Sequence, residues 1–183
     1  LPPQTHFIGV PVSGDLARFL AACRSWMGER FGCKSGFATP FHVTLVPPFR
    51  LVDDESIQAM AGALEAYASG AGPFASRVSG FGSFGERTVF ARVIPDARWV
   101  SLRDGLYAEL SRALPGALRK DARPFTPHAT IANRDIPPGA VARALEYLGG
   151  LGLEDDLNVD SLALYERRGG AWELAARLPF GSG

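Results

Sequence analysis

The sequence has few cysteines, no excess of either charge and no long apolar run. Its two cysteines, Cys23 and Cys33, are too few for a disulfide framework or a clustered zinc site, and they indicate free thiols in a reducing compartment. No apolar stretch approaches the ~18 residues that would cross a bilayer. Lysine plus arginine and aspartate plus glutamate both total 19, a balance that argues against coating duplex nucleic acid. We expect a cytoplasmic monomer that binds neither a membrane nor extended duplex nucleic acid. The chain begins with Leu1, so the question of a removed leader stays open.

The composition is that of a packed globular protein. Hydrophobic residues make up 46% of the 183 positions, and the 14 prolines and 21 glycines are scattered among periodic segments, where they mark turns. Alternating and helical apolar spacings predict, in chain order, strand 6–12, helix 16–31, strand 41–49, helix 57–67, strands 74–81 and 88–94, helix 99–114, strand 125–132, helix 141–148, and strands 159–166 and 172–178.

The order of these elements repeats along the chain. Each half runs helix, strand, helix, hairpin, and the ends of the two hairpins, residues 90–95 and 174–179, have similar sequences. This pattern predicts an internal duplication, approximately 14–95 and 97–179, inside a single domain of residues 1–183. We expect an α+β, bilobal fold on a pseudo-twofold axis, with two sheets that contain antiparallel strands, helices packed outside and a central cleft. A coincidental order of elements is the simpler alternative.

The repeated strands carry the same motif, His42-Val43-Thr44 and His128-Ala129-Thr130, with the histidines 86 positions apart (128 − 42). Because side chains alternate across a strand, each histidine and its threonine share one face, about 7 Å apart, while their apolar neighbours face the other way. A lone histidine on a strand is usually structural, and we interpret His6, which has no threonine partner, in that way. The repeated motif instead predicts one shared active site.

The chemistry of these side chains suits a phosphodiester. In-line hydrolysis needs one proton taken from water and another given to the leaving oxygen. Imidazole, with an ordinary pKa near 6.5, can serve as a neutral base or a protonated acid near neutral pH. The hydroxyls of Thr44 and Thr130 can donate to phosphoryl oxygens without adding a repelling charge. We therefore predict His42 and His128 as catalytic residues and the two threonines as phosphate-binding residues, with no metal and no other cofactor.

With these motifs the sequence resembles the 2H phosphoesterase superfamily, in its branch of LigT-like 2′-5′ RNA ligases and cyclic phosphodiesterases. The resemblance covers nearly the whole chain and rests on the opening strand at residues 7–12 and on the two motif segments, residues 41–45 and 127–132. It implies metal-free action on a 2′,3′-cyclic phosphate or a 2′-5′ linkage at a nucleotide or RNA end, with reversible 2′-5′ ligation in some members. It also favours His42 as the acid and His128 as the base.

Several alternatives stay open at this point. Relatives often carry a basic residue after the second motif, and here Arg134 is a candidate phosphate contact, although a shift by one residue would turn it to the other face. The glycine-rich residues 80–85, with Phe81 and Phe84, could stack a base or simply connect a hairpin. Threonine in place of lysine after each histidine argues against a phospholipase D-type enzyme. The main rival is a nucleotide or RNA-end binding module with little catalytic activity.

Overall fold

The computed structural model of the chain describes residues 2–182, so residues 1 and 183, the two ends of the predicted domain, lie outside it. Within the described part there are four helices and eight strands. In chain order they are β1 (His6–Pro11), α1 (Gly14–Phe31), β2 (His42–Phe49), α2 (Asp54–Gly70), β3 (Phe74–Phe84), β4 (Thr88–Val93), α3 (Ala97–Ala113), β5 (His128–Asn133), α4 (Ala140–Gly149), β6 (Glu154–Val159), β7 (Ser161–Arg168) and β8 (Ala171–Pro179). Every predicted helix and strand is present, and β6 is an additional strand.

The eight strands form one antiparallel sheet in the order β6-β3-β4-β5-β2-β1-β7-β8. Its central neighbours are β2 and β5, which carry the two histidine motifs and join through the pair Val43–Ala129. We call this β2–β5 pair the seam. The α+β class is confirmed, but the prediction of two separate sheets is wrong because pairing at the seam makes the sheet continuous. The predicted repeats also do not occupy separate halves of the sheet, since β2 lies on one side of the seam and β3 and β4 lie on the other. The duplication itself stays a prediction.

The helices cover one face of the sheet. Alternate strand residues such as Val43, Ala91 and Ile131 pack with residues of all four helices in a single apolar core. On one side of the seam α1 contacts β5 and α4 packs on β3 and β4, while on the other side α3 contacts β2 and α2 packs on β7 and β8. The predicted outer helices therefore lie on one side only, and the opposite face, which we call the open face, carries the motif side chains.

The helix ends follow from short polar side chains and from glycine. Asp53 caps α2 by accepting from the Ser56 backbone N–H at 2.8 Å, and Asp96 caps α3 by accepting from that of Arg98 at 2.8 Å. The first helix ends at Gly32, whose φ of 74° lies in the left-handed region that favours glycine. This turn directs the chain into the segment that leads to β2.

Strand β6 was not predicted from the sequence because it is acidic and has little strand propensity. Only Leu157 and Val159 are buried within it. It becomes a strand by pairing with β3, from Phe74 opposite Val159 to Ser79 opposite Glu154. Its exposed carboxylates also suit an edge strand, because like charges discourage pairing with another chain.

Candidate active site

The two histidine motifs lie side by side at the centre of the sheet. Extending the Val43–Ala129 register by one residue in each direction places His42 opposite Thr130 and Thr44 opposite His128. Directly opposed residues share a face, so all four side chains stand on the open face, where each is partly buried. Opposed Cβ atoms are typically about 5 Å apart and diagonal ones, such as those of the two histidines, about 7–8 Å. A phosphoryl group fits between side chains at this spacing.

Both imidazole rings are held by the same kind of hydrogen bond. The Nδ1–H of His42 donates to the Pro40 carbonyl oxygen at 2.7 Å, and the Nδ1–H of His128 donates to the Thr126 carbonyl oxygen at 2.7 Å. Because a carbonyl oxygen only accepts, Nδ1 carries the proton in each neutral ring and Nε2 keeps its lone pair. The second strand starts at His128 rather than at the predicted residue 125, since Pro127 has no N–H for the ladder.

Aromatic side chains surround His42 on the open face. Its ring centroid lies 4.6 Å from that of Phe7 and 5.1 Å from that of Tyr165. Phe7 and Tyr165 stack on each other, and Trp172 packs edge-on against Phe7. These rings form a small apolar cluster that is separate from the main core and withdraws His42 from water.

A second aromatic pair supports His128. The Phe84 and Phe90 ring centroids lie 4.9 Å and 5.0 Å from the His128 ring. Phe90 is buried, whereas Phe84 is 44% exposed and meets the imidazole edge-on. Of the two phenylalanines in the glycine-rich segment, Phe81 belongs to the core and Phe84 lies at the site. Phe84 thus leaves an aromatic surface open beside the second motif.

Burial disfavours the charged form of both histidines. It lowers the pKa of His42 to about 4, an effect opposed by the bond to the Pro40 carbonyl and reinforced by the positive charges of Arg24 and His128. Burial also lowers the pKa of His128, again against the effect of its own carbonyl bond. Both rings are therefore neutral near pH 7 in the free protein. An anion bound between them would favour protonation of either ring.

Arg24, on α1, is a site residue that sequence reasoning missed. Its guanidinium group is buried on the helical side of the seam, and burial lowers its pKa to about 10. The group donates to three backbone carbonyl oxygens, those of Thr130 at 2.9 Å, Ile131 at 3.2 Å and Thr39 at 2.8 Å. It also lies 3.8 Å from the centroid of the Phe41 ring. One cation thus ties β5 to the segment that immediately precedes His42.

Gly9 is a second contributor that sequence reasoning did not single out. A Cβ at this position of β1 would lie 2.6 Å from the Val43 carbonyl oxygen and 3.5 Å from Cδ2 of His42. Real Cβ atoms do not approach a carbonyl oxygen so closely, so the spacing of β1 and β2 beside His42 requires glycine.

The remaining candidates lie away from the four motif side chains. Arg134 follows the end of β5, is exposed and has a left-handed φ of 74°. Its role as a phosphate contact stays a prediction. His6 is buried, shares a 2.8 Å hydrogen bond between Nδ1 and the Thr5 hydroxyl, and stacks on Phe49, which supports the structural interpretation.

The described part of the chain offers neither a metal centre nor a membrane-spanning helix. Across residues 2–182, no three His, Cys, Asp or Glu side chains come together in a way that could hold a metal ion. Over the same residues, no helix combines the length and the apolar character that crossing a membrane requires. Cys23 and Cys33 are both buried free thiols, as predicted.

The fold and the paired motifs are those of a two-histidine phosphoesterase, the class that the sequence resembles. A family model described as the 2′-5′ RNA ligase superfamily matches residues 12–171, and the chain belongs to that superfamily.

Individual relatives agree with this assignment. The chain is 30% identical over 148 residues to the RNA 2′,3′-cyclic phosphodiesterase of Geobacillus stearothermophilus, a match that covers 70% of this chain and only 41% of that protein's length. A solved structure from Thermus thermophilus matches with a TM-score of 0.73 and 19% identity, covering 98% of this chain and 99% of that one. LigT of Escherichia coli in complex with 3′-AMP matches with a TM-score of 0.61 and 18% identity, covering 98% and 99%. LigT complexes with ATP and NADP+ share the fold too.

Proposed function

We propose that this chain is a metal-independent phosphodiesterase that acts on a 2′,3′-cyclic phosphate or a 2′-5′ linkage at a nucleotide or RNA end. The observation that carries the proposal is the diagonal pair of histidines, each with a bonded Nδ1 and a free Nε2, beside two threonines on one open face. Two proton-transfer groups and two neutral donors suit in-line hydrolysis of a phosphodiester. The activity named for the Geobacillus relative and the nucleotides bound by LigT support the same substrate class.

In the proposed step the phosphodiester lies between the four motif side chains. Nε2 of one histidine removes a proton from water while the water oxygen forms a bond to phosphorus. The bond from phosphorus to the leaving ribose oxygen breaks on the opposite side, and the other histidine, protonated on both nitrogens beside the bound anion, gives that oxygen its Nε2 proton. The Thr44 and Thr130 hydroxyls donate to the nonbridging oxygens, where negative charge accumulates. With a 5′-hydroxyl in place of water, the same step joins two RNA ends through a 2′-5′ bond.

The two histidines are not equivalent in this scheme. Burial lowers the pKa of both rings, to about 4 in His42, where the charges of Arg24 and His128 add to the effect. The family resemblance implies His42 as the acid and His128 as the base, with a 2′-phosphate as the product of cyclic phosphate opening. Because exchanging the roles selects the other regioisomer, separating 2′- from 3′-phosphate products tests which assignment holds.

A chelator-treated assay tests the function itself. Protein treated with EDTA is given 2′,3′-cyclic AMP and 2′-5′ linked diadenosine, and turnover is expected to survive the chelator. His42→Ala and His128→Ala should each lower kcat by on the order of 10²-fold or more, as loss of a general acid or base does. His6→Asn is the matched control and should keep near wild-type turnover. EDTA-sensitive turnover, or full activity in both alanine variants, contradicts the proposal, and nucleotide binding without turnover would identify a binding module instead.

A further inference from the structure

Arg92 extends the motif side chains by one strand across the open face. It lies opposite His128 in the β4–β5 pair, just as Phe90 lies opposite Thr130. Its side chain therefore stands on the same face as His128, one strand farther from the seam. The matching position beside His42, on β1, is occupied by Pro11. The face thus has a cation at this position on its β4 side and none at the corresponding position on its β1 side.

The Arg92 guanidinium group has no partner within residues 2–182: it makes neither an ion pair nor a hydrogen bond there. It leans toward β3 across Gly80, where a Cβ would lie 3.4 Å from Nη2. Glu154 is the one carboxylate that lines the neighbouring cavity, and Arg77 holds it at 2.8 Å while Ser79 donates to its other oxygen. Arg92 is therefore an exposed cation with its charge available to a ligand.

A cavity of about 320 Å³ opens beside this guanidinium group. Its walls are Ser79 and Gly80 of β3, Arg92 and Ile94, Gly149 at the end of α4, and Gly152 in the connection to β6. Glycines and one exposed isoleucine leave room for an apolar or sugar-like group next to the cation. The cavity volume is at the low end of the range for small-molecule sites, roughly 300–1,000 Å³.

We propose that Arg92 and this cavity form a second phosphate subsite, which binds the internucleotide phosphate next to the reacting one. Because the Arg92 side chain extends toward β3, its positive charge lies away from the space between the two histidines. This position suits the binding of the phosphate next to the reacting one. The planar guanidinium fork matches two phosphate oxygens, and the adjoining sugar lies in the cavity. This inference rests on the proposed function, because it concerns the same substrate.

The experiment compares two substrates that differ by one phosphate. Adenosine 2′,3′-cyclic phosphate carries only the reacting group, whereas the dinucleotide ApA with a terminal 2′,3′-cyclic phosphate adds an internucleotide phosphate. We expect wild-type protein to have a lower KM for the dinucleotide, and Arg92→Gln to reduce its kcat/KM by about tenfold, as loss of a charged hydrogen bond does. The mononucleotide kcat/KM should not change. Arg92→Lys should keep part of the dinucleotide advantage. Raised salt should weaken that advantage in wild type and in Arg92→Lys but not in Arg92→Gln.

Arg112→Gln on α3 removes the same charge far from the open face and serves as the matched control. An unchanged dinucleotide advantage in Arg92→Gln overturns the subsite, and so does an equal loss with both substrates, since that places Arg92 at the reacting phosphate or in the fold. If wild-type protein turns over neither compound, the proposed function fails. The subsite is then judged by equilibrium binding of the same two compounds, and equal affinities in wild type and Arg92→Gln overturn it.

Discussion

His42 links the geometry of the site to the acid stability of the protein. Its pKa in the folded state, about 4, lies below the ordinary value of 6.5, so between these values the unfolded chain binds more protons than the folded one. The stabilisation due to neutral His42 is complete above about pH 6.5 and is lost as the pH falls toward 4. We expect His42→Gln to lose less unfolding free energy than wild type between pH 7 and pH 4.5, as measured by urea titrations. Equal losses in the two proteins would contradict the assigned pKa.

The motif side chains could be predicted because their signal is local: alternation within one strand decides the face of His42 and Thr44. The contribution of Arg24 could not be read in this way, since its bond to Thr130 joins residues 106 positions apart. One signal was present nevertheless. Arg24 follows Leu20 by four positions and precedes Met27 by three, so it occupies the apolar stripe of its helix. A charge in such a stripe indicates a buried partner, here a set of carbonyl oxygens.

At the scale of elements, α1 supplies a link across the seam that the strands barely make themselves. β2 and β5 share one ladder pair, and Arg24 adds bonds from α1 to β5 and to the segment before His42. We expect Arg24→Met, which keeps an apolar stem, to lower kcat by roughly 10- to 100-fold through misplacement of the histidines. Removing this charge should also raise the pKa of His42, so the corresponding limb of the pH–rate profile should move to higher pH.

Arg18→Gln, on an exposed part of the same helix, is the control for this experiment and should leave both kcat and the pH profile unchanged. A wild-type pH profile in Arg24→Met would show that Arg24 only supports the fold.

A related arrangement occurs on α3, where buried Arg103 lies 5.0 Å from the Phe125 ring, shortly before the second motif. A buried arginine beneath the phenylalanine that precedes each motif supports the predicted duplication.

The order of elements was predictable because each helix and strand has its own apolar period, but the continuity of the sheet was not. Whether two histidine strands belong to separate sheets or to one depends on a single pair, Val43 and Ala129, and neither residue differs from an ordinary strand residue. Edge strand β6 exists for the same reason, through its partner β3 rather than through its own composition. Pairing between distant segments decides both features.

At the scale of the whole molecule, the two sides of the seam share one apolar core, so they should unfold together. Residues from all four helices belong to this single cluster, and Trp99 on α3 is fully buried within it. In a variant with Trp26→Phe and Trp172→Phe, fluorescence reports on Trp99 alone, where α3 meets Phe74 and Ser76 of β3, while far-UV circular dichroism reports on the entire fold. We expect urea transitions with the same midpoint by both probes.

A fluorescence midpoint displaced from the dichroism midpoint would mean that the halves separate before they unfold. In that case the spacing of His42 and His128 would depend on the seam contacts and Arg24 rather than on the common core.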